Sequence, residues 1–114
     1  MPRRVLVFGA TGLTGRLVVA ELARQGQPQA LGGRDAGRLT ALRQELDLPA
    51  DTATIVVDPR QPESLGALCG PETGVIVNCA GPFTTLGEPV VRAAVTAGVH
   101  YLDISGEQGY LARI

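Results

Sequence analysis

The chain has 114 residues, 45% of them apolar, with ten basic and eleven acidic side chains and a formal net charge of −1. That size allows one domain with a modest core, and the near-zero charge argues against a disordered polyelectrolyte and against general nucleic-acid binding, which needs a basic face. All ten basic residues are arginine, so a Schiff-base lysine, a Walker-type phosphate loop and a Tyr-Lys proton relay are excluded for this stretch of sequence. No apolar run is long enough to span a bilayer. The basic start Met1-Pro2-Arg3-Arg4 leads into an apolar run that stops at Gly9, which argues against a secretory signal. Two cysteines, Cys69 and Cys79, do not make a disulfide framework, so a cytoplasmic location is expected.

Arg4 to Phe8 is a β-branched and aliphatic run without alternation, which predicts a strand buried on both faces. From Gly12 to about Arg24 the period changes. Gly15, Val18, Val19 and Leu22 recur at helical spacing, with Arg16 and Arg24 on the other side and Gly26 where a helix stops. A second strand is expected at Gln29 to Leu31, followed by a turn at Gly32-Gly33. Asp35 then suits the N-cap of a helix from Ala36 to Leu46 that turns Leu39, Leu42 and Leu46 inward. Thr54 to Val57 reads as a third strand ended by Asp58-Pro59. Pro62 opens a short helix carrying Leu65 and Leu68, and Val75 to Val77 reads as a fourth strand. Pro89 suits the first turn of the next helix, with Val91, Ala94 and Val95 as its stripe and Gly98 as its stop. Tyr101 to Ile104 is the fifth strand. Glu107 to Ile114 read as the start of another element, so the chain is expected to be a single domain, residues 1–114, from a longer protein.

Strands alternating with helices, joined by connections long enough for crossovers, predict an α/β fold. It is a Rossmann-type three-layer sandwich with a parallel sheet in the order 3-2-1-4-5. Gly9, Gly12 and Gly15 then acquire one joint reason. Gly9 permits the tight strand-to-helix turn, Gly12 leaves the helix N-terminus open to a pyrophosphate, and Gly15 lets the helix approach the first strand. Thr11 and Thr14 add hydroxyls that can donate to phosphate oxygens. The bland alternative is a strand-helix turn without a ligand.

The end of the second strand faces the adenosine ribose in such a fold, where a carboxylate selects NAD and an arginine accommodates the 2′-phosphate of NADP. The sequence there is Gly32-Gly33-Arg34-Asp35. Arg34, with glycines before it to leave room, is expected to take the phosphate. Arg38, a turn further on, either reaches the same phosphate or lies on a solvated helix face. Asp35 is the rival ribose ligand, and a helix cap is preferred for it, so NADP is expected over NAD. Asp58 either bonds the adenine edge or starts a turn.

After the fourth strand the sequence runs Asn78-Cys79-Ala80-Gly81-Pro82-Phe83, where small residues let the backbone approach the nicotinamide and Phe83 can wall the pocket. Cys79 has no adjacent base and reads as a buried inert thiol rather than a nucleophile. Asp103, Ser105 and Glu107 stand near the rim, either orienting substrate or capping a following helix. His100 precedes the fifth strand, on the side of the sheet away from the crevice. No catalytic residue and no metal ligand can be named.

The stretches "GATGLTG", "GGRD" and "VNCAGPF…GEPVVRAAVTAGVHYLDISGE" together resemble the N-terminal NADP-binding domain of the saccharopine dehydrogenase-like oxidoreductases, a group that includes saccharopine reductases and trans-acting enoyl reductases. The resemblance runs nearly the whole length, and Asn78 to Glu107 is its most specific part. It implies hydride transfer with NADP(H). By motif position it puts Gly9, Thr11, Gly12, Leu13, Thr14 and Gly15 along the pyrophosphate, Arg34 on the 2′-phosphate, and Ala80, Gly81 and Pro82 by the nicotinamide. It also implies a second domain, absent here, that supplies the small-molecule substrate contacts and drives dimerisation, so this stretch alone is expected to be inactive. A homodimer through an uncovered apolar surface is a further expectation. The alternatives from other classes are a non-catalytic NADP sensor of the atypical short-chain dehydrogenase kind and a ligand-free interaction domain.

Overall fold

The computed structural model describes residues 4–58, 61, 70, 72–79 and 83–103. Five strands form one parallel sheet: β1 (Arg4–Phe8), β2 (Gln29–Gly33), β3 (Thr54–Val56), β4 (Thr73–Asn78) and β5 (His100–Asp103). Their order is β3-β2-β1-β4-β5, as the alternating pattern required. Helices α1 (Leu13–Arg24), α2 (Ala36–Glu45) and α3 (Phe83–Ala97) lie on its two faces.

The unalternated apolar run of β1 is explained by those two faces. Leu6 and Phe8 pack with Ile76 of β4 and with Val90 and Ala94 of α3. Val7 points the other way, into a cluster with Val19 of α1 and with Leu39 and Leu42 of α2. Each such buried side chain contributes about 1.5–3 kcal/mol, so β1 is pinned from above and below. Gly26 and Gly98 stop α1 and α3 at positive φ, as expected.

Three expectations need correction. First, β2 does not turn at Gly32-Gly33; it runs on through both. Phe8 pairs with Gly32, and Gly32 and Gly33 pair with Ile55 and Val56. A Cβ on Gly33 would lie 3.3 Å from Leu39 Cδ2, so this glycine lets α2 pack on the sheet rather than making room for a ligand. Second, α3 begins at Phe83, and Pro89 lies inside it. Proline there removes one main-chain bond of the helix, and burial of Val90 and Ala94 against the sheet offsets the loss. Third, the apolar stripe of α3 is as expected at Ala94 but not at Val91 and Val95. Val90 and Ala94 are fully buried, while Val95 is 72% exposed. The expected short helix after Pro62 and the end of β5 at Ile104 lie outside the described residues.

Candidate functional site

The parallel sheet places the carboxyl ends of β1, β2, β3, β4 and β5 along one edge. From β1 the chain leads to β2 on one side, and from β4 it leads to β5 on the other. The crevice between these two carboxyl ends is the place where open α/β sheets receive ligands.

The main chain leaves β1 at Gly9, whose φ of 79° is the left-handed region that only glycine enters cheaply. The amides of Gly9 and Ala10 both donate to the Gly32 carbonyl, at 2.9 and 3.1 Å, and Gly12 N–H closes a turn onto the Gly9 carbonyl at 3.1 Å. A Cβ on Gly15 would fall 2.0 Å from the Gly9 oxygen and 2.9 Å from Ala10 Cα. Glycine is therefore obligatory at 15, for contact between α1 and the end of β1.

Gly12 differs. It is the N-cap of α1, with φ −75° and ψ 171°, a conformation open to any residue. A Cβ there would meet only the Gly9 oxygen, at an ordinary 3.5 Å. Nothing in the fold requires glycine at this exposed position. Gly12 makes no side-chain cap, and the first turn of α1 holds no acidic residue. The positive end of the helix therefore faces outward at an exposed glycine, with no side-chain cap and no carboxylate in its first turn. This arrangement fits a diphosphate. Thr11 and Thr14 are half-buried beside it and Leu13 is exposed. Arg16, one turn further on, is not free to join them: its Nη2 is bonded to Glu45 of α2 at 2.6 Å.

At the end of β2, the Asp35 carboxylate accepts the Arg38 amide at 3.0 Å and caps α2. The preferred role for Asp35 is the observed one. Arg38 is loosely tied to that carboxylate, Nε to Oδ2 at 3.9 Å, and is largely exposed. Arg34 is exposed and makes no ion pair among the described residues. Arg34 and Arg38 thus present two exposed guanidinium groups between the carboxyl end of β2 and the first turn of α2. Asp58 follows β3, half-buried, and its carbonyl accepts Gln61 N–H at 2.9 Å, so it does start a turn.

Cys79, just past β4, is half-buried against the α1–α2 cluster, and burial pushes its thiol above the ordinary range. At neutral pH it is a protonated packing group, as expected. His100 is exposed at the far end of β5, level with Val75. Asp103 ends β5, half-buried and level with Asn78. Ala80, Gly81, Pro82, Cys69, Ser105 and Glu107 lie outside the described residues, as does the side chain of Phe83.

One pair escaped the sequence reading. Asn78 is fully buried and donates through Nδ2 to the Tyr101 hydroxyl at 3.0 Å. The available signal was an asparagine ending an otherwise apolar strand. A cavity of about 710 Å³ also opens at the opposite pole of the sheet, beside Arg4, Gln29, Asp47 and Thr52. It is remote from the strand ends that carry the glycine turn, and the chemistry above does not involve it. Among the described residues no cluster could hold a metal ion, and no helix is long and apolar enough to cross a membrane.

The family model described as saccharopine dehydrogenase NADP binding domain matches residues 5–113. A saccharopine dehydrogenase-like oxidoreductase of Homo sapiens is 33% identical over 96% of this chain and 29% of its own length. An Arabidopsis thaliana relative, named as a probable mitochondrial saccharopine dehydrogenase-like oxidoreductase, is 38% identical over 96% of this chain and 27% of its own. A trans-acting enoyl reductase of Mycobacterium bovis is 37% identical over 90% of this chain and 25% of its own. The chain therefore spans about a quarter of the length of these relatives. Among solved structures, a Veillonella parvula short-chain dehydrogenase/reductase in complex with NADP superposes with a TM-score of 0.72 at 18% identity, over 92% of this chain and 48% of that one. Yeast methylglyoxal/isovaleraldehyde reductase complexed with NADPH gives 0.69 at 16% identity, over 82% and 32%. At such identities these two show the shared fold.

Proposed function

The chain belongs to the saccharopine dehydrogenase NADP-binding domain family, and from that premise we propose that it seats NADP(H) for hydride transfer within an oxidoreductase. The observation that carries this reading is Gly12: an exposed glycine, unneeded by the fold, at the open positive end of α1. The main-chain N–H groups of the first turn hold the pyrophosphate, helped by Thr11 and Thr14, with Leu13 alongside and Gly9 and Gly15 setting the turn. Arg34, with Arg38 beside it, receives the 2′-phosphate and makes NADP the preferred coenzyme over NAD. Asp58 lies on the adenine side. Ala80, Gly81 and Pro82 present main chain to the nicotinamide. The bound coenzyme supplies the hydride donor or acceptor; this chain's residues bind it, orient it and leave one side open to a small-molecule substrate. Substrate contacts come from elsewhere in the whole protein, so this stretch alone is expected to be inactive. A reducing compartment suits the half-buried thiol of Cys79, and we place the protein in the cytoplasm, although the Arabidopsis relative is named mitochondrial.

Titration with NADPH and NADH tests the reading. Saturable binding, tighter for NADPH, supports it. Equal affinity for the two refutes the role of Arg34. Binding of neither leaves an interaction domain without a coenzyme.

A further inference from the structure

The cavity of about 710 Å³ lies at the amino ends of the strands, the pole opposite the glycine turn. The turn from α1 to β2 and the connection from α2 to β3 form two of its walls, and Arg4 and Glu72, at the starts of β1 and β4, close a third. Ala23, Pro28, Leu48 and Ala53 give it apolar surface. Small-molecule sites have this form: a concave space of about 300–1,000 Å³, apolar walls and a few polar groups that fix orientation.

The charges on the wall favour one sign of ligand. Arg4, Asp47, Asp51 and Glu72 all line the cavity, three carboxylates against one guanidinium. Arg4 Nη1 is paired with Glu72 at 3.0 Å. Asp47 and Asp51 are exposed and make no ion pair and no side-chain hydrogen bond among the described residues. An anion would approach two unpaired carboxylates and compete with Glu72 for Arg4. A cation meets complementary charge.

A second observation, independent of charge, also calls for a donor. Gln29 lines the same cavity and is only 9% exposed. Its Nε2 donates to the Val19 carbonyl at 3.2 Å, and its Oε1 is buried with no hydrogen-bond partner. A buried carbonyl oxygen left unbonded is costly, and native structures seldom keep one without a reason. Arg4 Nε is buried and unbonded as well, but Glu72 already supplies that guanidinium with an anion.

We propose that this cavity is a second ligand site, separate from the coenzyme crevice, for a small aliphatic amine with donors at both ends. One ammonium sits with Asp47 and Asp51 at the rim. The other end donates inward to Gln29 Oε1 on the Glu72 side, and the apolar wall covers the chain between them. The proposal does not depend on the coenzyme reading.

Isothermal titration calorimetry at about 0.15 M salt, where diffuse attraction is screened beyond about 8 Å, compares 1,5-diaminopentane with the uncharged 1,5-pentanediol and the dianion glutarate. The expected result is saturable one-to-one binding of the diamine, with the diol and glutarate weaker by at least about tenfold. Asp47→Asn and Asp51→Asn should each weaken the diamine by about tenfold, as loss of a charge-assisted bond does, with the melting temperature unchanged. Asparagine suits the φ of 52° at position 47. Gln29→Met keeps the length, removes the acceptor and should weaken the diamine too; if that variant does not fold, the two aspartate variants decide. Failure of the diamine to saturate overturns the proposal. So does a diol that binds as tightly, or an affinity unchanged in both aspartate variants.

Discussion

Replacing Gly15 by alanine puts a methyl group 2.0 Å from the Gly9 carbonyl oxygen and 2.9 Å from both Ala10 Cα and the Gly9 carbonyl carbon. All three are main-chain atoms, so no flexible side chain can swing aside. The contact with the oxygen must open from 2.0 Å to about 3.4 Å, which lifts the start of α1 from the sheet. Overpacking of this kind costs about 1–3 kcal/mol. Alanine returns up to about 1 kcal/mol of helix propensity, because glycine is a poor helix residue. A net loss of roughly 1–2 kcal/mol lowers Tm by roughly 5–15 °C in a domain of this size, read by circular dichroism. Gly12→Ala is the paired control. Its methyl would meet one atom at 3.5 Å, and its backbone angles suit alanine. The weaker N-cap costs about 0.5–1 kcal/mol, while NADPH affinity falls at least about tenfold, because the methyl occupies the phosphate seat and breaks charge-assisted bonds to the helix amides. A Gly15→Ala chain that melts within about 2 °C of the parent would refute the packing argument. A Gly12→Ala chain that binds NADPH as tightly as the parent would refute the seat.

Arg34→Ala is expected to weaken NADPH binding by roughly tenfold to a hundredfold and to leave NADH untouched, in parallel fluorescence titrations. Asp35→Ala removes the carboxylate that accepts the Arg38 amide, so a urea unfolding curve should show about 1 kcal/mol less stability, whereas Asp35→Asn should keep most of it. Asp47 follows α2 at φ 52° with its N–H bonded to the Gln44 carbonyl. Asp47→Gly at this left-handed helix stop should stabilise the chain by up to about 1 kcal/mol, and a lower urea midpoint would contradict that. Cys79, its thiol raised by burial, should react with iodoacetamide at neutral pH more slowly in the folded chain than in urea, followed site by site by mass spectrometry. The raised thiol also fixes a sign. Above the ordinary thiol pKa of about 8.5 the unfolded chain releases this proton first, so stability should fall as pH rises through that range.

The sequence alone determined the five strands, the three described helices and their order. The β1 run, the helical spacing of Gly15, Val18, Val19 and Leu22, and the stops at Gly26 and Gly98 are local patterns, set by backbone periods of two and 3.6. With parallel crossovers they leave few arrangements, and order 3-2-1-4-5 is one of them. The glycine triplet and the Asp35 cap were legible for the same reason, since each involves neighbours within a few residues. Tertiary structure decided the rest. Gly32-Gly33 continue β2 because ladders from β1 and β3 hold them there. Pro89 sits inside α3, and Val90 rather than Val91 faces the core, because burial against the sheet outweighs the proline's helix-starting preference. Asn78 and Tyr101, 23 positions apart, meet only after β4 and β5 are laid side by side. A side-chain bond between strands depends on register and on which face each residue takes, and packing between distant segments sets both.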